Sequence, residues 1–185
     1  SNAAGSLAKP GDTVTATITA SEAILAPTCA FFTDTSNAVA GTVAVTGSGT
    51  DWTCTVDVAS GDTAGAVSFT IDDSSDLAGN ALAQVTAVTD GSSMTFDKTA
   101  PTLSAVVISS DNDAASLAKA GDTVTLTITS SDDLIADPVC VFQTGGADVT
   151  GAAVVVTDTS SGAGTGWTCV YTTVAGDTAG AVSFS

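Results

Sequence analysis

Ser6–Thr19 reads SLAKPGDTVTATIT and Ser116–Thr129 reads SLAKAGDTVTLTIT, with twelve of fourteen positions identical. Gly61–Phe69 and Gly176–Phe184 both read GDTAGAVSF. Between these blocks each copy carries a Cys with a Phe two positions on: Cys29 and Phe31 in the first, Cys140 and Phe142 in the second. Each copy then carries Trp-Thr-Cys, ending at Cys54 and at Cys169. Self-similarity of this length, at an offset of 110 residues in the first block and 115 in the second, marks tandem copies of one folding unit. An active site needs unlike groups converging on one place. A repeated unit supplies length, spacing or multivalency instead.

Inside the repeats the pattern has period two. Val14, Ala16 and Ile18 alternate with Thr13, Thr15, Thr17 and Thr19, and Val124, Leu126 and Ile128 repeat the alternation. Cys29 shares a face with Phe31, and Cys140 with Phe142. Trp52, Cys54 and Val56 share another, matched by Trp167, Cys169 and Tyr171, while Val67, Phe69 and Ile71 form a further inward row. Alternation of this kind predicts half-buried strands. The composition agrees: Thr, Ser, Ala, Val, Gly and Asp dominate, with one Glu and no Arg. Gly-Asp turns at 11–12, 61–62, 121–122 and 176–177 and the Asp76–Asn80 turn separate the strands. GSGTDW in the first copy becomes DTSSGAGTGW in the second, an insertion expected in a surface loop. The fold class expected is all-β, an antiparallel β-sandwich in each of two copies.

Ser1-Asn2-Ala3 reads as the remnant of a cleaved tag, which leaves copies at 4–98 and 99–185. The link Phe96-Asp97-Lys98-Thr99-Ala100-Pro101 is short and predicts end-to-end stacking. The second copy opens with a strand, Thr102–Ser109, that has no counterpart before Ser6. The first closes with strands expected from Ala81 to Phe96 that have no counterpart after Ser185. Each copy is therefore expected to be incomplete at one end, the first lacking its first strand and the second its last. The exposed edges are expected to pair between molecules.

The net charge is −17, with three Lys against twenty acids. That charge excludes nucleic acid and anionic membrane as partners. No run approaches the roughly 20 apolar residues of a membrane-spanning helix. Four cysteines, two per copy, predict one disulfide in each, Cys29–Cys54 and Cys140–Cys169. They point to an oxidising, extracellular setting and an exported protein. A zinc site is the rival reading, but the chain has no His and no Cys-x-x-Cys spacing.

The series GDTVTxTIT, CxF, GDTAGAVSFTI, DLAGN and DKTAPT resembles tandem bacterial immunoglobulin-like (Big-type) domains of large secreted or cell-surface proteins, many of them adhesins. The resemblance covers the whole chain after residue 3. It implies seven-stranded Greek-key sandwiches strung into an array that carries a binding tip away from the cell. The partners implied are the neighbouring repeats and, through other parts of the parent protein, a host or matrix surface. One departure is plain: antibody domains join more widely spaced cysteines on strands B and F. With Cys-x-Phe on strand C and Trp-Thr-Cys on strand E, the bond here crosses between sheets at another place.

Acidic residues cluster in loops: Asp72, Asp73 and Asp76; Asp111 and Asp113; Asp132, Asp133 and Asp137; and Asp97 at the link. In stacked sandwiches Asp97 and the Asp132–Asp133–Asp137 group are expected to converge, and calcium is the cofactor such a set would hold. The plainer reading is turn aspartates on an acidic surface, and no EF-hand spacing is present. Catalysis has no footing, because there is no His, no free thiol is expected and no triad spacing occurs. The chain is not expected to be an enzyme. The outward Thr rows, one strand per copy, are too narrow for an ice-binding face. Trp52 and Trp167 are expected to pack on the disulfides. Phe32 alone points outward, and its counterpart Val141 is not aromatic, so no repeated sugar platform is expected. The function expected is a structural spacer or stalk of a bacterial surface protein. The alternative is a ligand-binding module for calcium or for a host glycan.

Overall fold

The computed structural model describes residues 5–34, 36–151 and 153–185, and no helix occurs among them. Ser1-Asn2-Ala3, the expected tag remnant, lies outside the described residues. The chain divides into two compact units, Ser1–Thr99 and Ala100–Ser185.

Unit 1 holds β1 (Leu7–Ala8), β2 (Thr13–Thr19), β3 (Thr28–Thr33), β4 (Asn37–Ala38), β5 (Ala44–Ser48), β6 (Asp51–Asp57), β7 (Gly65–Asp72) and β8 (Thr95–Phe96). One sheet has the order β2-β6-β5 and the other β1-β8-β7-β3-β4. β1 pairs parallel with β8, and the other ladders are antiparallel. The alternation decides which face turns inward. On β2, Val14 is buried while Thr13, Thr15, Thr17 and Thr19 are exposed. Val14, Cys54 and Val56 from one sheet meet Cys29, Phe31, Ile71 and Phe96 from the other in a single core that also takes in Ala8 and Val58. Two sheets sharing one apolar core are consistent with a β-sandwich. Burial of each large side chain contributes about 1.5–3 kcal/mol.

Unit 2 holds β9 (Leu103–Ser110), β10 (Thr123–Ser130), β11 (Phe142–Thr144), β12 (Ala147–Asp148), β13 (Val155–Asp158), β14 (Gly166–Thr172) and β15 (Val182–Phe184). Its sheets run β13-β14-β10-β9 and β12-β11-β15. The core gathers Val124, Leu126, Ile128, Trp167, Cys169 and Tyr171 from one sheet with Phe142 from the other and Cys140 just before it.

The repeated sequence folds in a repeated register. β2 pairs with β6 from Thr13↔Asp57 to Thr19↔Asp51, and β10 with β14 from Thr123↔Thr172 to Thr129↔Gly166. Ala16 faces Cys54, and Leu126 faces Cys169. The units differ at their edges. β9 flanks β10, while among the described residues no strand flanks the corresponding side of β2. β8 flanks β7, while among the described residues no strand flanks β15 on that side. Between Ala81 and Phe96 only Thr95–Phe96 forms a strand. Ala81 and Val85 make isolated bridges to Ser75 and Ile71 instead. Bends at Ala87, Thr89 and Asp90, with Gly91 at φ 74°, interrupt this stretch, and a segment punctuated so often does not sustain a ladder.

Candidate functional site

The feature common to both units is a disulfide crossing between sheets. Cys29 lies on β3 and Cys54 on β6; Cys140 lies two residues before the start of β11 and Cys169 lies on β14. The Cα–Cα distances of 6.4 and 6.3 Å fall in the ordinary range for a disulfide. Cys54 and Cys169 are fully buried, so each bond sits in its core. Two such bonds fit a protein that matures in an oxidising, extracellular environment. The tryptophan two residues earlier is tied in the same way in each unit. Trp52 Nε1 donates to the carbonyl of Gly49 and Trp167 Nε1 to that of Gly164, both at 3.1 Å. Both glycines have positive φ, 65° and 61°, a conformation that favours glycine. The longer loop of unit 2 therefore ends in the same indole-capped turn. Asp158 organises its other end, accepting from the hydroxyl and N–H of Ser160 and from Gly162 N–H.

The repeated aspartates face backbone amides. Asp12 accepts from Lys9 N–H at 2.8 Å and Lys9 Nζ at 3.0 Å. Asp122 does the same with Lys119 at 2.8 and 3.1 Å and adds Asn112 Nδ2 at 2.7 Å. The Asn112 amide, followed by Lys119 N–H, holds the Asp122 carboxyl below its ordinary value. Each turn is sewn to a strand connection, Gly11 and Asp12 to Val58, Gly121 and Asp122 to Thr173. Asp62 joins Ala59 N–H and Ala40 N–H at 2.8 and 2.9 Å; its counterpart Asp177 joins Val174 N–H and Thr150 N–H, both at 2.9 Å. These carboxylates substitute for backbone acceptors in the turns, which is why Gly-Asp recurs.

Unit 2 adds Tyr171, which unit 1 replaces with Val56. Its ring is 1 % exposed and stacks on Phe142 with centroids 6.0 Å apart, and its hydroxyl donates to Asp177 Oδ2 at 2.5 Å. Burial, with the bond to Asp177, raises the phenol from 10.0 to about 12. Thr150 N–H, then the Tyr171 hydroxyl and Val174 N–H, lower Asp177 from 3.8 to about 2. The depressed acid stabilises the fold fully above its unfolded value, and that contribution is lost as pH falls through 3.8 towards about 2. The raised phenol contributes fully below 10.0 and is lost as pH rises towards about 12. The chain has one Tyr, so phenolate absorbance reads this group alone. Its midpoint is expected at about 12 in the folded chain and partway back towards 10.0 in Asp177→Asn. A wild-type midpoint at 10.0 would contradict the buried pair.

The loop acids expected to hold calcium lie in separate turns and loops. Asp72 accepts from Gln84 Nε2 at 2.9 Å. Asp73 is exposed at φ 51°. Asp76 accepts from Asn80 Nδ2 at 2.6 Å and from the N–H groups of Ala78 and Asn80, both at 2.8 Å. The Asn80 side-chain amide, then the Asn80 N–H, hold Asp76 below its ordinary value. Asp97 accepts from Thr99 N–H at 2.9 Å within unit 1. In unit 2, Asp132 accepts from Ser131 Oγ at 2.8 Å, Asp133 covers Gly164 and Asp137 is exposed. Among the described residues no three or more His, Cys, Asp or Glu side chains form a group that could hold a metal ion.

The outward Thr face is broader than one strand. Thr15 lies opposite Thr55 and Thr17 opposite Thr53 across β2–β6, and Thr46 on β5 lies opposite Thr53. Counting one strand per copy missed this face, because cross-strand register is needed to see it. Phe32 is half-buried and lines a shallow groove with Ser36, Ser68, Phe69, Thr70 and Thr86. Among the described residues no helix is long and apolar enough to cross a membrane. No protein-family model matches the chain, and no curated protein matches it.

Proposed function

We propose that the chain is a pair of immunoglobulin-like Greek-key repeats acting as a non-catalytic structural spacer of an exported bacterial surface protein. The observation that carries this reading is duplication: the same seven-pair ladder and the same cross-sheet disulfide recur in both units. What recurs is framework. The residues that differ, such as Val56 against Tyr171 and the loop lengths, do not assemble a repeated pocket. The sheet memberships support the immunoglobulin-like assignment: β9-β10-β14-β13 on one side and β11-β15 on the other follow the A-B-E-D and C-F arrangement. The acidic surface keeps such an array hydrated and soluble.

The test is mechanical. Pulling the chain by its two ends should give two separate force-resistant unfolding events, one for each unit. A chain that extends without resistance would overturn the spacer reading.

A further inference from the structure

The outer face of the larger sheet of unit 1 carries one aromatic among hydroxyls. Cys29, Phe31 and Thr33 of β3 are buried on its inner face, so Phe32 points outward and is half-buried. Across β3–β7 it lies opposite Ser68, and Ala30 lies opposite Thr70. Ile71 and Val85 exchange backbone bonds of 2.9 and 3.0 Å, which sets Thr86 opposite Thr70 on the far side of β7. With Ser36 and Phe69 these residues line a shallow groove of about 350 Å³. Adjacent strands lie about 4.8 Å apart, so the span from Phe32 across β7 to Thr86 is about 10 Å. Every lining residue lies between Phe32 and Thr86, inside unit 1.

The lining is chemically selective. It holds no charged side chain, although the chain carries twenty acids. Asp72, one pleat further along β7, is engaged by Gln84 Nε2 at 2.9 Å. Among the described residues the hydroxyls of Ser36, Ser68, Thr70 and Thr86 have no hydrogen-bond partner. Each offers one donor and two acceptor lone pairs. β3 is flanked by β4 and β7, so the groove presents side chains rather than a strand edge. Unit 2 does not repeat the arrangement. Its ladders place Gln143, rather than Val141, at the register of Phe32: Phe32 pairs with Ala38 of β4, and Gln143 with Asp148 of β12. Gln143 Nε2 donates to Asp148 Oδ1 at 2.9 Å, which occupies its amide within the unit.

We propose that the Phe32 groove of unit 1 is a binding site for a neutral pyranose sugar. A pyranose has a face of C–H groups and a rim of hydroxyls. The C–H face lies on the Phe32 ring, whose π face is negative. The rim exchanges hydrogen bonds with the Ser68, Thr70 and Thr86 hydroxyls. An uncharged lining matches an uncharged ligand, and a net charge of −17 disfavours acidic sugars. One aromatic in an open groove gives modest affinity, with Kd on the order of 1 mM for a single ring. The spacer reading neither requires this site nor excludes it.

The probes are methyl β-glucopyranoside and methyl β-galactopyranoside, each titrated into the isotope-labelled whole chain and followed by amide chemical shifts. Saturable shifts are expected with at least one of them at Phe32, Ser68, Thr70 and Thr86, and none at Gln143 or Ser183. Glycerol, which has hydroxyls but no ring face, should give no saturable shift. Phe32→Gln installs the residue that unit 2 carries at this register, so the fold should be retained. It should weaken binding about 10-fold by removing the aromatic face. Thr70→Val keeps the β-branched shape, removes one hydroxyl and should weaken binding about 5-fold. If Phe32→Gln disturbs the core amides of unit 1, Thr70→Val decides, and unchanged affinity there overturns the proposal. No saturable shift with either glycoside, shifts that survive Phe32→Gln in a folded chain, or equal shifts with glycerol would overturn it too.

Discussion

Replacing Cys29 and Cys54 together by Ala should destabilise unit 1 by about 3 kcal/mol and leave unit 2 where it was. The bond closes a loop of 25 residues, and its counterpart in unit 2 closes 29. Loops of that size constrain the unfolded chain by about 3 kcal/mol in the chain-entropy account. For a unit of this length each kcal/mol moves the melting temperature by about 4–8 °C, so a fall of about 12–24 °C is expected. Alanine is the right replacement, because Cys54 is 0 % exposed and a serine would bury a hydroxyl in the core. The matching pair Cys140→Ala and Cys169→Ala should move only the other transition. Calorimetry of the three chains checks both statements. A joint shift of the two transitions would show that the units do not unfold separately, and no shift would show that the cross-sheet bond is idle.

The second large effect is expected at Phe96. Its side chain is fully buried on a strand only two residues long, and that strand is the partner of both β7 and β1. Phe96→Ala removes the ring from a close-packed core, at about 3–5 kcal/mol. The loss should not stay local. With the anchor gone, the bonds from Thr95 N–H to Ser6 O and from Asp97 N–H to Ala8 O lose their support. Amide exchange at Val67, Thr95 and Asp97 should therefore accelerate beyond the global change. Phe96→Leu should retain most of the stability. A cost below about 1 kcal/mol for Phe96→Ala would mean that β8 is not the core strand described here.

Local pattern made much of the framework legible. The alternation over Thr13–Thr19 matches β2 end to end, and the paired cysteines of each repeat form the bonds that their recurrence suggested. What local pattern cannot carry is partner choice. The parallel pairing of Leu7–Ala8 with Thr95–Phe96 joins segments nearly a unit apart in sequence, and two-residue strands show no period. Ala81–Phe96 has alternating apolar residues, yet its turn-formers leave only single bridges before Thr95. The Thr15–Thr55 and Thr17–Thr53 rows likewise exist only once register is known. The aspartates were legible as turn residues. Asp76 closes its turn with Ala78 and Asn80, and Asp177 joins its near neighbours Val174 and Tyr171 to Thr150, 27 residues away. No spacing rule announces the Thr150 contact, because those residues meet only through the fold.

The most direct test of the central claim is single-molecule stretching of the intact chain, before and after reduction. Two duplicated, separately folding, disulfide-pinned units should unfold in two events. A chain extends by at most about 3.3–3.6 Å per residue. The bond over 25 residues therefore withholds about 80–90 Å, and the bond over 29 residues about 95–105 Å. Reduction should lengthen one event by each amount and lower the force of both. A single unfolding event, or contour lengths unchanged by reduction, would contradict the account.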